Sequence, residues 1–149
     1  MIEIDSHEFH DVMLATREFD KVLYRELRKA MREAGEPILK DIKVGIALIP
    51  SKSDGTVRRG LIAGTKVTLV MGGKNPGIRI KTSGKALGNK AVLAAAFNKN
   101  KFRHKVFGRD VWVDQPGHPY FGKVILDHKD EVLEKVRVAL DDAAKEVHP

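Results

Sequence analysis

Histidines and acids at short spacing are the first places to look for chemistry in this chain. His7 and His10 stand three apart near Asp5, Glu8 and Asp11. Two histidines at i and i+3 of a helix can share a metal ion. So near the first residue, solvated polar side chains at the start of a helix explain them more simply. His104, Asp110, Asp114, His118 and His128 offer the ligand types of a metal-dependent nuclease. Their spacing matches no recognised metal motif, and Asp110 adjoins Arg109, so a turn ion pair is available to it. No two acids are placed so that one could stay protonated while the other ionises. Ser51, Ser53 and Ser83 lie in polar stretches without the sharp strand-to-helix turn of a nucleophilic serine. Gly72-Gly73-Lys74 and Gly84-Lys85 fall short of the phosphate-loop pattern. The chain has no cysteine, which removes disulfides, thiolate zinc sites and cysteine nucleophiles. These residues predict no enzymatic activity, no metal and no cofactor.

The segment from His104 to Phe121, HKVFGRDVWVDQPGHPYF, differs in kind. Phe107, Trp112, Tyr120 and Phe121, with Phe102 just before, crowd around glycines and prolines. One reading plugs the core where a sheet meets the last helix. The other makes a subunit contact, since aromatic side chains anchor interfaces. In a strand through Val111–Val113, Trp112 points opposite to both valines. Trp112 and Tyr120 are therefore expected near a neighbouring subunit, and Phe107 and Phe121 in the core.

Two long helices and several short strands must hold these residues. Phe19, Val22, Leu23, Leu27, Ala30, Met31 and Ala34 recur at helical spacing, and the pattern resumes at Ile38, Ile42 and Ile46. Pro37 predicts a kink, or two helices in tandem, ending before Pro50. Ser51–Thr56 reads as a loop. Leu61–Ala63, Val67–Met71, Ile78–Ile80 and Val111–Val113 read as strands. Lys81–Lys90, rich in Gly and Lys, is expected to be mobile, and the whole of Lys81–Lys105 to order only on assembly. Ala91–Phe97 favours a short helix. Pro119 fits the first turn of a final helix. Val124, Ile125, Val132, Val136, Leu140, Ala143 and Val147 line one face of that helix. Strands clustered between long helices predict an α+β fold, with a small, mostly antiparallel sheet and a basic insertion. At 149 residues the chain reads as one domain.

Charge is distributed unevenly. Residues 51–123 hold 15 basic and 3 acidic side chains, whereas residues 1–50 balance at −2 and residues 124–149 at −3. A basic middle can meet nucleic acid, mate with acidic helices of another copy, or simply be a solvated surface. The longest apolar run, Ala91–Phe97, is far too short to span a bilayer, so no membrane partner is expected.

Several of these features together resemble the tail-completion, or head–tail connector, proteins of long-tailed double-stranded DNA phages, also described as minor tail proteins. The shared features are a long charged helix ending near a proline, a polar loop with Gly55-Thr56-Val57-Arg58, then His104-Lys105-Val106-Phe107-Gly108, Trp112-Val113-Asp114-Gln115 and Pro119-Tyr120-Phe121 before a last helix. Lys105 stands where such proteins usually carry proline. The resemblance covers the element order of nearly the whole chain and about twenty specific positions. It implies a non-enzymatic virion protein made in the bacterial cytoplasm. Such a protein forms a homo-oligomeric ring, a hexamer, at the phage neck, touching other neck and tail proteins and passing DNA. The subunit contact is expected to use His104, Val106, Phe107, Gly108, Trp112, Gln115, Pro119 and Tyr120. The cations expected to face DNA are Lys81, Lys85, Lys90, Lys99, Lys101, Arg103 and Lys105. The alternative is a nucleic-acid-binding protein that uses the basic 81–105 stretch.

Overall fold

The structure is a computed structural model that describes residues 21–50, 54–72, 77–106 and 108–147. Expectations resting on His7, His10, Phe19, Ser51, Ser53 and Phe107 lie outside those residues.

The long first helix, α1 (Lys21–Ala47), forms because apolar residues repeat at three and four. Leu27, Met31, Ala34, Ile38, Ile42 and Ile46 make one stripe at 0–1% exposure. The helix runs on through Pro37 without interruption. Proline removes one backbone donor there, but the buried stripe continues on both sides of it, and burial of Ala34 and Ile38 outweighs one lost hydrogen bond.

Helix α2 (Thr56–Gly64) follows. Leu61–Ala63 is thus helical, not a strand, and Thr56–Arg58 is a helical turn rather than loop. Local polar contacts decide this. The Asp54 carboxylate accepts from the Thr56 backbone N–H at 3.0 Å and from its hydroxyl at 2.6 Å. Gly55 adopts the left-handed backbone at φ 79°, which only glycine takes freely. Arg58 Nη1 donates to the carbonyls of Ala47 and Ile49 at 3.3 and 3.4 Å, covering carbonyls that the end of α1 leaves free.

Strands β1 (Thr65–Val70) and β2 (Gly77–Thr82) pair. Their six-residue connection permits only antiparallel pairing. Thr65 Oγ1, buried, donates to the Leu61 carbonyl at 2.7 Å and lies 3.0 Å from Thr82 Oγ1. A 3-10 stretch (Lys85–Lys90) and strand β3 (Lys101–Lys105) then occupy stretches expected to be mobile, and helix α3 (Leu93–Phe97) forms where a short helix is expected. Strand β4 (Trp112–Pro116) pairs antiparallel with β3, and α4 (Gly122–Val147) closes the chain. Pro119 lies three residues before α4, outside its first turn. The fold is α+β with two two-stranded sheets.

Contacts gather into two compact units, and α1, the first hairpin and α4 run through both. One comprises residues 1–39, 67–80 and 125–149. Its core contains Leu27, Met31, Ala34, Ile38, Ile78, Ile80, Ile125, Val132 and Val136. A Cβ on Gly35 would meet Val67 at 3.1 Å and Ile78 at 3.2 Å, so this glycine lets the hairpin lie close on α1. The second unit comprises residues 40–66 and 81–124, with Ile42, Ile46, Ile49, Leu61 and Tyr120 at its centre.

Candidate functional site

The β3–β4 hairpin carries the signature residues. Its register pairs Lys101 with Pro116, Phe102 with Gln115, Arg103 with Asp114, His104 with Val113 and Lys105 with Trp112. Successive side chains on a strand point to opposite faces. Phe102, His104, Val113 and Gln115 form the half-buried face, while Lys101, Arg103, Lys105, Trp112, Asp114 and Pro116 form the exposed one. The turn closes by Val106 N–H donating to the Val111 carbonyl at 2.9 Å and Arg109 N–H to the Val106 carbonyl at 3.1 Å. Gly108, at φ 73°, supplies the left-handed step.

A scaffold of short contacts fixes this hairpin. Phe102 meets Phe97 of α3 edge to face, with centroids 5.3 Å apart. Gly117 N–H donates to the Asn100 carbonyl at 2.9 Å and His118 N–H to the Phe97 carbonyl at 2.8 Å. The Asn98 side-chain oxygen accepts from the backbone N–H of both Tyr120 and Phe121 at 3.1 Å. Tyr120, 3% exposed, donates its hydroxyl to the Ala94 carbonyl at 2.6 Å. Burial pushes its phenol above the ordinary value.

On the exposed face Trp112 is 52% exposed. The Arg103 guanidinium carbon lies 5.9 Å from its ring centroid and Lys105 Nζ 5.8 Å. Cations so placed are attracted by the ring's negative face, by about 0.5–1 kcal/mol at exposed sites. Lys101 pairs with Asp114 at 2.8 Å and Lys105 with Asp110 at 2.5 Å. The hydrogen bond from Lys101 holds the Asp114 carboxyl below the usual range.

Comparison with family models, curated proteins and solved structures finds no match. The site is therefore read from its own geometry.

Of the residues expected at a subunit contact, the structure brings His104, Val106, Gly108, Trp112 and Gln115 into one hairpin, but spreads them over both faces. Trp112 and Gly108 are exposed, and His104, Val106 and Gln115 are half-buried. Pro119 is exposed beyond the hairpin. Tyr120 contradicts the expectation: it is core at 3% exposure, and a Cβ on Gly45 would lie 3.0 Å from the Tyr120 Cβ. Phe121 is half-buried, and Val111 is exposed beside Trp112 because it precedes the paired strand. The seven cations Lys81, Lys85, Lys90, Lys99, Lys101, Arg103 and Lys105 are all exposed. Asp110 pairs with Lys105 rather than its chain neighbour Arg109. Sequence reasoning missed Asn98 and Arg58 as positioning residues. Asn98, directly after an apolar helical run, was the available signal.

His104 turns Nδ1 to the Lys105 carbonyl at 2.9 Å. His128 lies 3.3 Å from Glu131, which also takes Lys135 at 2.6 Å. Among the described residues no three His, Asp or Glu side chains stand together as a metal site, and no helix is long and apolar enough to cross a membrane.

Proposed function

We propose that this chain is a structural subunit of a phage virion, forming a ring at the neck that joins or completes the tail and lets DNA pass. The observation that carries the reading is Trp112. The chain's single tryptophan stands half exposed on a paired hairpin, flanked by two cations, instead of filling the core. A large aromatic left in water is a liability on a monomer and an anchor at an interface. The reading is further supported by the order long helix, hairpin, aromatic hairpin, long helix. The signature from His104 to Gln115 also falls on one hairpin. The test is genetic and biochemical. Disrupting the gene should leave filled heads and tails unjoined, and added purified chain should restore joining. Normal infectious particles without the chain would refute the reading.

A second reading, nucleic-acid binding, draws on one observation: the unit of residues 40–66 and 81–124 holds 15 basic and 4 acidic side chains. It predicts binding of duplex DNA by the free chain that weakens steeply with salt. Absence of such binding at low salt rejects it.

A further inference from the structure

We infer that the exposed face of β3–β4 docks head to tail on the outward face of α4 in a second copy of this chain. This rests on the assembly reading above and names its contact.

The hairpin face has the composition of a protein contact. Val111, 53% exposed, and Trp112 lie at one end and Pro116 at the other. At about 3.4 Å per residue this run spans about 17 Å. Asp114 and Asp110 take up Lys101 and Lys105. Arg103 keeps the Trp112 ring as its contact and makes no ion pair among the described residues. A tryptophan–arginine centre with neutralised lysines around it matches interface hot spots. A groove that tracks phosphates gains nothing from two acids in its midst.

The α4 face answers it in spacing and charge. Leu126, 72% exposed, and Val138, 46% exposed, are its large apolar residues in water. Twelve helical steps separate them, about 18 Å. Asp130 and Glu134 fall between them at intervals of four, so the four lie along one oblique ridge that turns about 120° around the outward side of the helix. Asp127 and Asp141 flank it, and Arg137 shares that side. Asp127, Asp130, Glu134 and Asp141 make no ion pair among the described residues, whereas Glu131 is held by Lys135 and His128. An apolar pair bracketing free acids thus fits an apolar pair bracketing a free arginine. The same polarity extends beyond the patches. The unit bearing the hairpin balances at +11, and the unit bearing residues 125–149 has 12 basic and 16 acidic side chains, −4. Because the two patches differ, each copy offers both, and the contact repeats in one direction.

The experiment is sedimentation of the full chain. Arg103→Glu and Glu134→Arg should each weaken self-association at least tenfold, and both changes in one chain should recover most of it. Trp112→Ala spoils only the hairpin and Leu126→Glu only the helix. Each variant alone should be monomeric, and their mixture should give one-to-one pairs and nothing larger. Variants that assemble like the parent, a swapped pair that recovers nothing, or a parent chain that stays monomeric at millimolar concentration overturn the contact. DNA binding lost in Arg103→Glu with self-association unchanged would overturn it too, assigning the face to nucleic acid. The neck reading fails on a different observation, normal joining of heads to tails without the chain.

Discussion

One side-chain oxygen of Asn98 holds the entry to α4, accepting from Tyr120 and Phe121 N–H at 3.1 Å each. Asn98→Ala leaves two part-buried donors unsatisfied and should destabilise the chain by about 1–3 kcal/mol. Asn98→Asp keeps an acceptor in place and should cost less, and the two melting curves side by side check the difference. Tyr120 gives a pH signature. Its phenol is raised by burial, so the folded state resists ionisation more than the unfolded chain. Stability from this group is complete below the unfolded value near 10 and is lost as pH rises through the higher folded value. Tyr120→Phe should lose about 0.5–1.5 kcal/mol at neutral pH from the missing bond to Ala94, but shed this alkaline sensitivity. Denaturant titrations at pH 8 and pH 11 separate the two effects. At this scale the sequence showed which residues are unusual, not where they point. Alternation along a strand put Trp112 outside, because that rule is local. Tyr120 was misplaced because its destination depends on a carbonyl of α3, 26 residues away.

The elements divide by the range of the forces that make them. Both long helices were legible, since a stripe such as Leu27 to Ile46 carries its own period. The central strands near 67–71, 78–80 and 111–113 and the short helix at 91–97 were legible too, whereas α2 and β3 were not. Leu61-Ile62-Ala63 is too brief to show a period, and α2 begins through Asp54 and Gly55, outside the apolar run. Strand β3, KFRHK, reads as a basic loop, and only pairing with β4 makes it a strand. Close packing between such elements is tested at glycines. A Cβ on Gly64 would strike the Ser83 carbonyl, and one on Gly117 the Lys99 carbonyl, both backbone atoms. Gly64→Ala and Gly117→Ala should each cost about 1–3 kcal/mol or more. Gly122, at the start of α4, has open space around its Cβ position. Gly122→Ala should stabilise by about 0.4–1 kcal/mol, through lower entropy of the unfolded chain. Thermal unfolding of the three variants orders them, and equal effects would mean that the close approaches do not govern stability.

At the scale of the molecule the governing quantity is the division of charge, +11 in one unit and −4 in the other. Composition gives only the sum, +7, but the linear blocks already carry the division, a basic 51–123 between two acidic ends. The fold keeps it by bringing 40–66 together with 81–124. Two consequences of opposite sign follow. Within a monomer, fifteen cations against four acids repel one another, and like-charge repulsion opposes compactness. In the proposed contact between copies, the same cations would be attracted to the acidic face of α4. Salt screens both over about 10 Å at 0.1 M and about 3 Å at 1 M. Raising salt from about 0.05 to 0.5 M, across most of that range, should therefore raise the melting temperature of the dilute monomer while weakening self-association at higher concentration. The apolar anchors Trp112 and Leu126 are not screened, so association should level off above zero rather than vanish. Arg103→Glu removes the central cation and should flatten the salt dependence of association. Trp112→Ala removes the unscreened anchor and should leave no self-association at any salt concentration in the series. Calorimetry of the dilute chain and sedimentation of the concentrated chain, over one salt series, read both quantities. If both rise together, screening of repulsion governs both. If both fall together, attraction within the monomer outweighs the excess of cations, and the division of charge between units does not set the assembly.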